Sequence, residues 1–151
     1  MSGPIFYEDA TPGSTYETGG IVVTESHVVQ FAGLSGDFFD LHMDDTFARE
    51  LGFPRRVAHG LLGLILIDGL KNRAEHRFAG IASLSWQWHF RQPIFIGDRI
   101  AGKVTVLSKR RTKRDDRALV TIGLRLANQD GIIVQEGENL LMVRTRSAAA
   151  E

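Results

Sequence analysis

Apolar and polar residues follow two different periods along this chain, a helical period early and an alternating one later. After a β-prone segment over Tyr16–Val23, Thr24 is a favoured N-cap for a helix predicted over about 25–34. A second helix is predicted from about 44 to 51, and a strongly apolar one from Gly60 to Asn72. The first half of the chain is therefore predicted to be mainly helical.

Alternation begins near residue 83, where apolar and polar side chains take turns up to residue 90. Further strands are predicted over 100–107, 118–127 and 132–143, with a bulge at Gly137 in the last one. One strand, then helices, then strands joined by hairpins is the order of an α+β fold with an antiparallel sheet.

The helix over 60–72 is apolar on nearly all sides. Such a helix should pack on the sheet with one face and be covered on the other, and a second copy of the chain is the most economical cover. We therefore predict a homodimer. A chain of 151 residues can bury one core, so residues 1–151 are predicted to form a single domain.

The composition narrows the class of partner. Lysine plus arginine total 18 and aspartate plus glutamate total 18, which argues against nucleic acid or a membrane as a partner. The chain has no cysteine, hence no thiol nucleophile and no disulfide, and this suits a cytoplasmic protein. The start of the chain lacks the pattern of a signal peptide, and the apolar run Leu61–Ile67 is far shorter than the ~20 residues of a membrane span.

A carboxylate and an imidazole stand close together in a glycine-flanked segment, Ser35–Met43, which is predicted to be an ordered loop. These are Asp37 and His42, and such a pair can hold one water between them. An imidazole gives and takes protons near neutral pH, and a neighbouring carboxylate orients its ring. The pair suits addition or removal of water across a polarised double bond.

Gly60 opens the apolar helix directly after His59. The first N–H groups of a helix have no partner within the helix, and the dipole is positive there. Gly60 has no side chain to obstruct an approaching carbonyl. We therefore predict that its N–H stabilises the oxygen of a thioester as that oxygen gains negative charge.

These segments belong to a longer linked pattern: Ser35-Gly36-Asp37, Leu41-His42, Ala48, His59-Gly60, Phe90-Arg-Gln-Pro93 and Gly97-Asp98. With this pattern the chain resembles the MaoC-like dehydratases, which include the R-specific enoyl-CoA hydratases. The resemblance runs from about residue 5 to about residue 145. It implies the hot-dog fold, in which an antiparallel sheet wraps a long central helix.

The resemblance also implies an activity, that of a lyase adding water reversibly to a 2-enoyl thioester to give the R-3-hydroxyacyl thioester. Asp37 and His42 would activate the water, with His42 giving a proton to the α-carbon, and Gly60 would bind the thioester oxygen. No separate cofactor is expected, because coenzyme A or an acyl carrier protein is part of the substrate. Hot-dog subunits typically join sheets edge to edge and share their sites across the interface.

Two departures from the family pattern concern the substrate. Phe39 and Asp40 replace an Asn-Pro pair, and Asp68 stands where some family hydratases carry a serine. The candidate substrate-binding residues are Phe38, Phe39, His59, Asp68, Arg55 and Arg56. For His59, a structural role at the start of the helix is the competing interpretation.

The run Lys109–Arg114 is strongly basic and is followed by two aspartates. It is interpreted as the solvated tip of a hairpin, with contact to substrate phosphates as the alternative. No His-Glu-x-x-His motif is present, so no metal site is predicted. Two other functions stay open: a hot-dog thioesterase, which would release free coenzyme A, and a binding module for acyl thioesters without catalysis.

Overall fold

One antiparallel sheet dominates the structure, a computed structural model that describes residues 3–149. Its strands are β1 (Thr15–Val22), β2 (Gly80–Phe90), β3 (Arg99–Arg111), β4 (Arg117–Ala127) and β5 (Ile133–Arg144). Their order across the sheet is β1-β3-β4-β5-β2, so β1 and β2 form its two edges. All four pairings are antiparallel, as the hairpin pattern predicts.

The helices lie between β1 and β2 in the chain: α1 (Glu25–Ser35), α2 (Asp40–Met43), α3 (Asp45–Glu50) and α4 (Gly60–Asn72). The predicted cap of α1 is confirmed, since the side chain of Thr24 accepts from the N–H of His27. A short 3₁₀ turn over Arg146–Ala149 follows β5. No helix among residues 3–149 has the length and apolar character needed to cross a membrane.

The prediction of a loop over 35–43 is wrong for its second part, which forms the single turn α2. The carbonyl of Asp40 accepts the N–H of Asp44 at 2.8 Å, which closes that turn. The carboxylate of Asp40 lies in the first turn, where the helix dipole favours negative charge. So short a helix has too few residues to show a helical period in the sequence.

Helix α4 packs against the sheet through Leu62, Ile67 and Leu70, all of which are buried in the one core cluster found among residues 3–149. A Cβ added at Gly102 in β3 would clash with the side chain of Ile67, so this glycine lets the helix approach the strand. A central helix packed on an antiparallel sheet confirms the predicted α+β, hot-dog architecture.

The other face of α4 remains uncovered. Leu61 is 56% exposed and Ile65 is 50% exposed. The neighbouring edge strand β2 adds Ile81, Leu84 and Phe90, which are also exposed. These five apolar residues of α4 and β2 are exposed in the single chain.

The predicted bulge at Gly137 is wrong. Gly137 pairs in regular register with Trp88 of β2 and Leu124 of β4. The glycine is needed for a different reason, because an added Cβ would clash with the backbone oxygen of Gln87. The close approach of β2 to β5 therefore explains why residue 137 is a glycine.

Candidate functional site

The geometry of Asp37 is set by the end of α1. Gly36 follows the helix with φ 80°, in the left-handed region that favours glycine, and its N–H donates to Ala32 at 2.8 Å. This turn leads the chain to Asp37, whose Oδ1 accepts the N–H of Phe39 at 3.2 Å. The second carboxylate oxygen, Oδ2, is left to face His42.

His42 lies on α2, and its ring is fixed through Nδ1, the nitrogen that does not face Asp37. Its Nδ1 lies 2.6 Å from the carbonyl oxygen of Val57; because a carbonyl only accepts, Nδ1 carries the hydrogen. The other nitrogen, Nε2, lies 4.0 Å from Oδ2 of Asp37. One water making two hydrogen bonds of about 2.8 Å spans roughly that gap, so the pair has room for a single bridging water.

Gly60 begins α4 beside this pair. No side-chain cap is present at the start of the helix, and among residues 3–149 the N–H of Gly60 donates to no protein acceptor. A Cβ at Gly60 would lie 2.9 Å from the ring of Phe90, so a larger residue would crowd the amide. The helix therefore presents an unused donor where a developing oxyanion could be held.

A buried glutamine holds the first turn of α4 in place. Gln135 of β5 donates from Nε2 to the carbonyl of Gly60 at 2.9 Å. Its Oε1 accepts the indole N–H of Trp88, also at 2.9 Å. Because the indole nitrogen only donates, this contact fixes which way the amide of Gln135 points.

A cavity of about 340 Å³ joins His42 and Gly60. Apolar side chains dominate its wall, and it is lined by Leu41, His42, Phe53, Val57, Ala58, Gly60, Phe90, Arg91, Gln92, Pro93, Ile94 and Gln135. A larger groove of about 460 Å³ lies on the opposite face of the sheet. His42 and Gly60 line the smaller cavity and not this groove, whereas Asp37 lines neither, so the smaller cavity is the candidate site.

His59 lies under the pair and is buried, with 2% of its surface exposed. Burial is the main cause that lowers the pKa of His59; the charge of His42 lowers it too, whereas a hydrogen bond to the carbonyl of Asp37 opposes the shift. The lowered pKa therefore favours the neutral form of the His59 ring.

Asp37, His42 and His59 each have a possible ligand atom within 4.8 Å of the others, so a shared metal ion has to be considered. The two imidazoles are stacked, with centroids 3.8 Å apart and planes at 29°. A shared ion needs the lone pairs of both rings to converge, whereas stacked rings direct them along nearly parallel lines. This geometry favours a water held by Asp37 and His42 over a metal ion.

Comparison with known proteins decides the family. The sequence matches the MaoC-like domain over residues 8–128, which is most of the chain. The chain belongs to the MaoC-like dehydratase family.

Two curated relatives illustrate the range of this MaoC-like family. The (R)-specific enoyl-CoA hydratase of Aeromonas caviae is 33% identical over 113 residues, covering 75% of this chain and 81% of the relative. The mitochondrial 3-hydroxyacyl-[acyl-carrier-protein] dehydratase of Arabidopsis thaliana is 30% identical over 118 residues, covering 78% and 68%. One is named for a coenzyme A thioester and the other for a carrier-protein thioester.

A similar solved structure is described as the monoamine oxidase regulatory protein of Archaeoglobus fulgidus. It superposes with a TM-score of 0.85 at 31% identity, over 94% of this chain and 95% of the other. The MaoC-like architecture therefore extends over nearly the whole chain and is shared with a protein described as regulatory.

The two aromatic residues predicted to bind substrate in this MaoC-like domain lie near the pair but outside the cavity wall. Phe38 and Phe39 are both about half exposed. The ring of Phe39 stands edge-on to His42, with centroids 6.1 Å apart, and also contacts Phe47. Their role in binding stays a prediction.

The predicted arginines are occupied elsewhere. Arg56 donates to Glu25 at 2.9 Å and lies 3.5 Å from Asp45, so it ties α1 to α3. Its backbone N–H also donates to Asp45; this contact, together with the nearby guanidinium, lowers the pKa of that carboxyl.

The guanidinium of Arg55 lies over the ring of Phe95 at 5.0 Å. Neither arginine lines the cavity.

Asp68 is not brought to the cavity within the single chain. Eight residues separate it from Gly60 along α4, a distance of about 12 Å at the rise of an α-helix. Its carboxylate instead pairs with Lys71, which is buried and lies over the ring of Trp86 at 5.2 Å. Substrate binding by Asp68 stays a prediction.

The prediction of a solvated hairpin tip is confirmed for Lys113 and Arg114, which are exposed between β3 and β4. It is wrong for the first three residues of the run, Lys109–Arg111, which belong to β3. Lys109 donates to the carbonyl of Tyr7, and Arg111 lies 3.7 Å from Glu8, so both hold the N-terminal segment. The run is therefore largely used within the chain.

The two aspartates after the basic run have separate roles. Asp116 is bound by Arg117 and Arg114, and these hydrogen bonds hold the pKa of its carboxyl well below the usual range. The carbonyl of Asp115 accepts from Thr145. Asp116 therefore pairs with Arg114 and Arg117 inside the hairpin.

Sequence reasoning missed Gln135 as a residue of the site and treated Phe90 only as part of a family motif. Both line the cavity, and both contact or crowd Gly60. The available signal was weak: Gln135 is a polar residue at an inward position of β5, and the same strand also buries the polar residue Asn139 among its apolar side chains.

Proposed function

We propose that this chain catalyses the reversible addition of water to a 2-enoyl thioester, giving a 3-hydroxyacyl thioester. The observation that carries the proposal is the 4.0 Å gap between Oδ2 of Asp37 and Nε2 of His42, next to the unused N–H of Gly60. The gap fits one water, and the amide fits the oxygen that becomes negative when water adds.

In the proposed hydration, the water oxygen bonds to the β-carbon and one water proton passes to the carboxylate of Asp37. The α-carbon takes a proton from Nε2 of the charged form of His42, since Nδ1 is engaged with Val57. The thioester oxygen, bound by Gly60, carries the negative charge between these events. Proton transfer from Asp37 to His42 then restores the starting state, and dehydration follows the same steps in reverse.

The two curated relatives support a thioester substrate but differ in its carrier, coenzyme A or acyl carrier protein. We propose acyl-CoA as the substrate class, with coenzyme A as part of the substrate and no separate cofactor. The R configuration of the product follows the R specificity for which the hydratase relative is named. A cytoplasmic location stays a prediction from the sequence.

We also propose a homodimer in which two β2 edges meet. An edge strand that is long and apolar invites pairing, and β2 carries Ile81, Leu84 and Phe90 in exposed positions. Leu61 of α4 is exposed beside Gly60, so a partner on this face would also cover the candidate site. The catalytic pair itself lies within one chain.

The dimer is tested by light scattering on the wild type and on Leu84→Lys, with Leu34→Lys as the matched control. Leu34 is also apolar and is 86% exposed, but it lies on α1. We expect a wild-type dimer, a monomer with reduced turnover for Leu84→Lys, and an active dimer for Leu34→Lys. A monomeric, fully active wild type would contradict the dimer.

The activity is tested with short, branched and medium-length 2-enoyl-CoA compounds, following loss of the conjugated thioester absorbance and, in parallel, release of free thiol. Loss of conjugation without thiol supports the hydratase. Release of thiol would instead establish the thioesterase, in which the same water attacks the carbonyl. Tight binding of an enoyl-CoA with neither reaction would establish a non-catalytic binding module. This alternative is supported by a structural neighbour that is described as a regulatory protein.

A further inference from the structure

The buried ring of His59 contacts both Asp37 and His42, the pair proposed to bind water. Its Nε2 lies 2.8 Å from the main-chain oxygen of Asp37, so Nε2 carries the hydrogen and donates. Its ring stacks on His42 at a centroid distance of 3.8 Å. On the same ring, Phe31 makes a second aromatic contact at 4.7 Å.

These contacts are not those of a helix cap. His59 occupies the N-cap position of α4, yet its side chain makes no hydrogen bond to the helix. A cap would bind the free N–H groups of the first turn, which include the donor at Gly60. The side chain of His59 turns away from them and toward Asp37, leaving that donor unused.

The second ring nitrogen of His59 explains why the ring must stay neutral. Nδ1 is buried and has no hydrogen-bond partner among residues 3–149. A proton there would create a buried N–H without an acceptor and would set a positive ring against His42. Asp37 and His42 are the titratable groups whose charges act on this ring.

We propose that His59 is a positioning residue for the water-binding pair, acting as a neutral imidazole with its hydrogen on Nε2. It holds the backbone at Asp37 through one hydrogen bond and the plane of His42 through stacking. Because it stays neutral, His42 is the one of the two imidazoles that changes charge during turnover. The proposal rests on the proposed hydration, but its structural half can be measured without substrate.

The first experiment is nitrogen-15 NMR of the histidine rings in the wild-type protein between about pH 5 and 8. The spectrum of His59→Gln identifies the His59 signals by their loss. We expect the ring to be neutral, with its hydrogen on Nε2, at neutral pH and above. A ring that gains a positive charge near neutral pH, or that carries its hydrogen on Nδ1, would overturn the proposal.

The second experiment compares turnover in three variants. His59→Phe keeps an aromatic ring but loses the donor, and His59→Gln keeps a donor near the position of Nε2. His76→Gln controls for loss of an exposed histidine outside the site and outside β2. We expect kcat to fall about 10–100-fold in His59→Phe with KM nearly unchanged, because misplaced groups slow the chemical step. His59→Gln should recover most of that loss, and His76→Gln should behave as wild type.

The outcomes distinguish failure of the positioning role of His59 from failure of the proposed hydration. Full activity in His59→Phe, or no recovery in His59→Gln once circular dichroism shows that it is folded, would overturn the positioning role. A wild type that hydrates no enoyl thioester would refute the proposed function. The NMR result would then test only the structural part of the proposal, which is that His59 is neutral and carries its hydrogen on Nε2.

Discussion

Two polar regions of this molecule differ in what their polar groups do. The basic hairpin, residues 109–117, carries many more charges, but most of them bind other residues of the chain. The site at the start of α4 has few charges, yet the N–H of Gly60, Nε2 of His42 and Oδ2 of Asp37 have no hydrogen bond within residues 3–149. Unused hydrogen-bonding capacity, rather than charge density, marks the site.

The difference has a physical basis. Exposed ion pairs such as Arg114 with Asp116 are screened by water and contribute little each, so the hairpin gains local order and not reactivity. A donor left open beside an apolar cavity wall interacts more strongly with a developing charge, because less water competes for it.

Outside the pair of Asp37 and His42, the largest effect is expected at Gly60. A Cβ there would crowd Phe90 and narrow the approach to the N–H, so Gly60→Ala should lower kcat/KM by about 10²–10³, the loss typical of an oxyanion donor. Gly69→Ala is the matched control, since nothing lies within 4 Å of a Cβ at that position on the same helix. Comparable activity in the two alanine variants would contradict the role of the Gly60 amide.

A smaller effect is expected in the pH dependence of stability. The pKa of His59 lies below the ordinary value of 6.5, so the unfolded chain binds the proton more readily. The stability contributed by the neutral ring is therefore complete above pH 6.5 and declines as the pH falls below it. Denaturant unfolding from about pH 8 to 5 should show a steeper decline in wild type than in His59→Gln. Parallel curves would show that the ring does not stay neutral.

The smallest effect is expected in the basic hairpin. Arg110 and Lys113 have no ion-pair partner among residues 3–149, so they are the cations most available for a phosphate. We expect the double variant Arg110→Gln, Lys113→Gln to keep KM for an enoyl-CoA within about twofold, as for solvated surface charges. A large rise in KM that disappears at high salt would instead show that the hairpin contacts the substrate.

Local sequence signals predicted much of this structure. The bounds of α4 and the cap Thr24 follow from helical period and capping chemistry, which act over a few residues. The ion pair between Asp68 and Lys71 has the same local origin, since residues three apart share a helix face. That spacing could have shown in advance that Asp68 has a partner within the chain.

Contacts between distant parts of the chain could not be predicted in this way. His59 reaches the backbone of Asp37, and Gln135 reaches Gly60 from another strand. Such contacts depend on how α1, α4 and the sheet pack, and neither hydrophobic period nor residue spacing encodes them. The sequence therefore predicted Asp37, His42 and Gly60 as candidate reacting groups, but not the contacts that His59 and Gln135 make with Asp37 and Gly60.

The most direct test compares two carboxylates, one from each region. Asp37→Asn and Asp116→Asn each remove one negative charge with little change in size, and both side chains lie near the surface. We measure kcat/KM for hydration of a short 2-enoyl-CoA in both variants and in wild type. The account predicts a loss of about 10²–10⁴ for Asp37→Asn, as for removal of a general acid or base, and wild-type turnover for Asp116→Asn. Equal turnover in the two variants would contradict it.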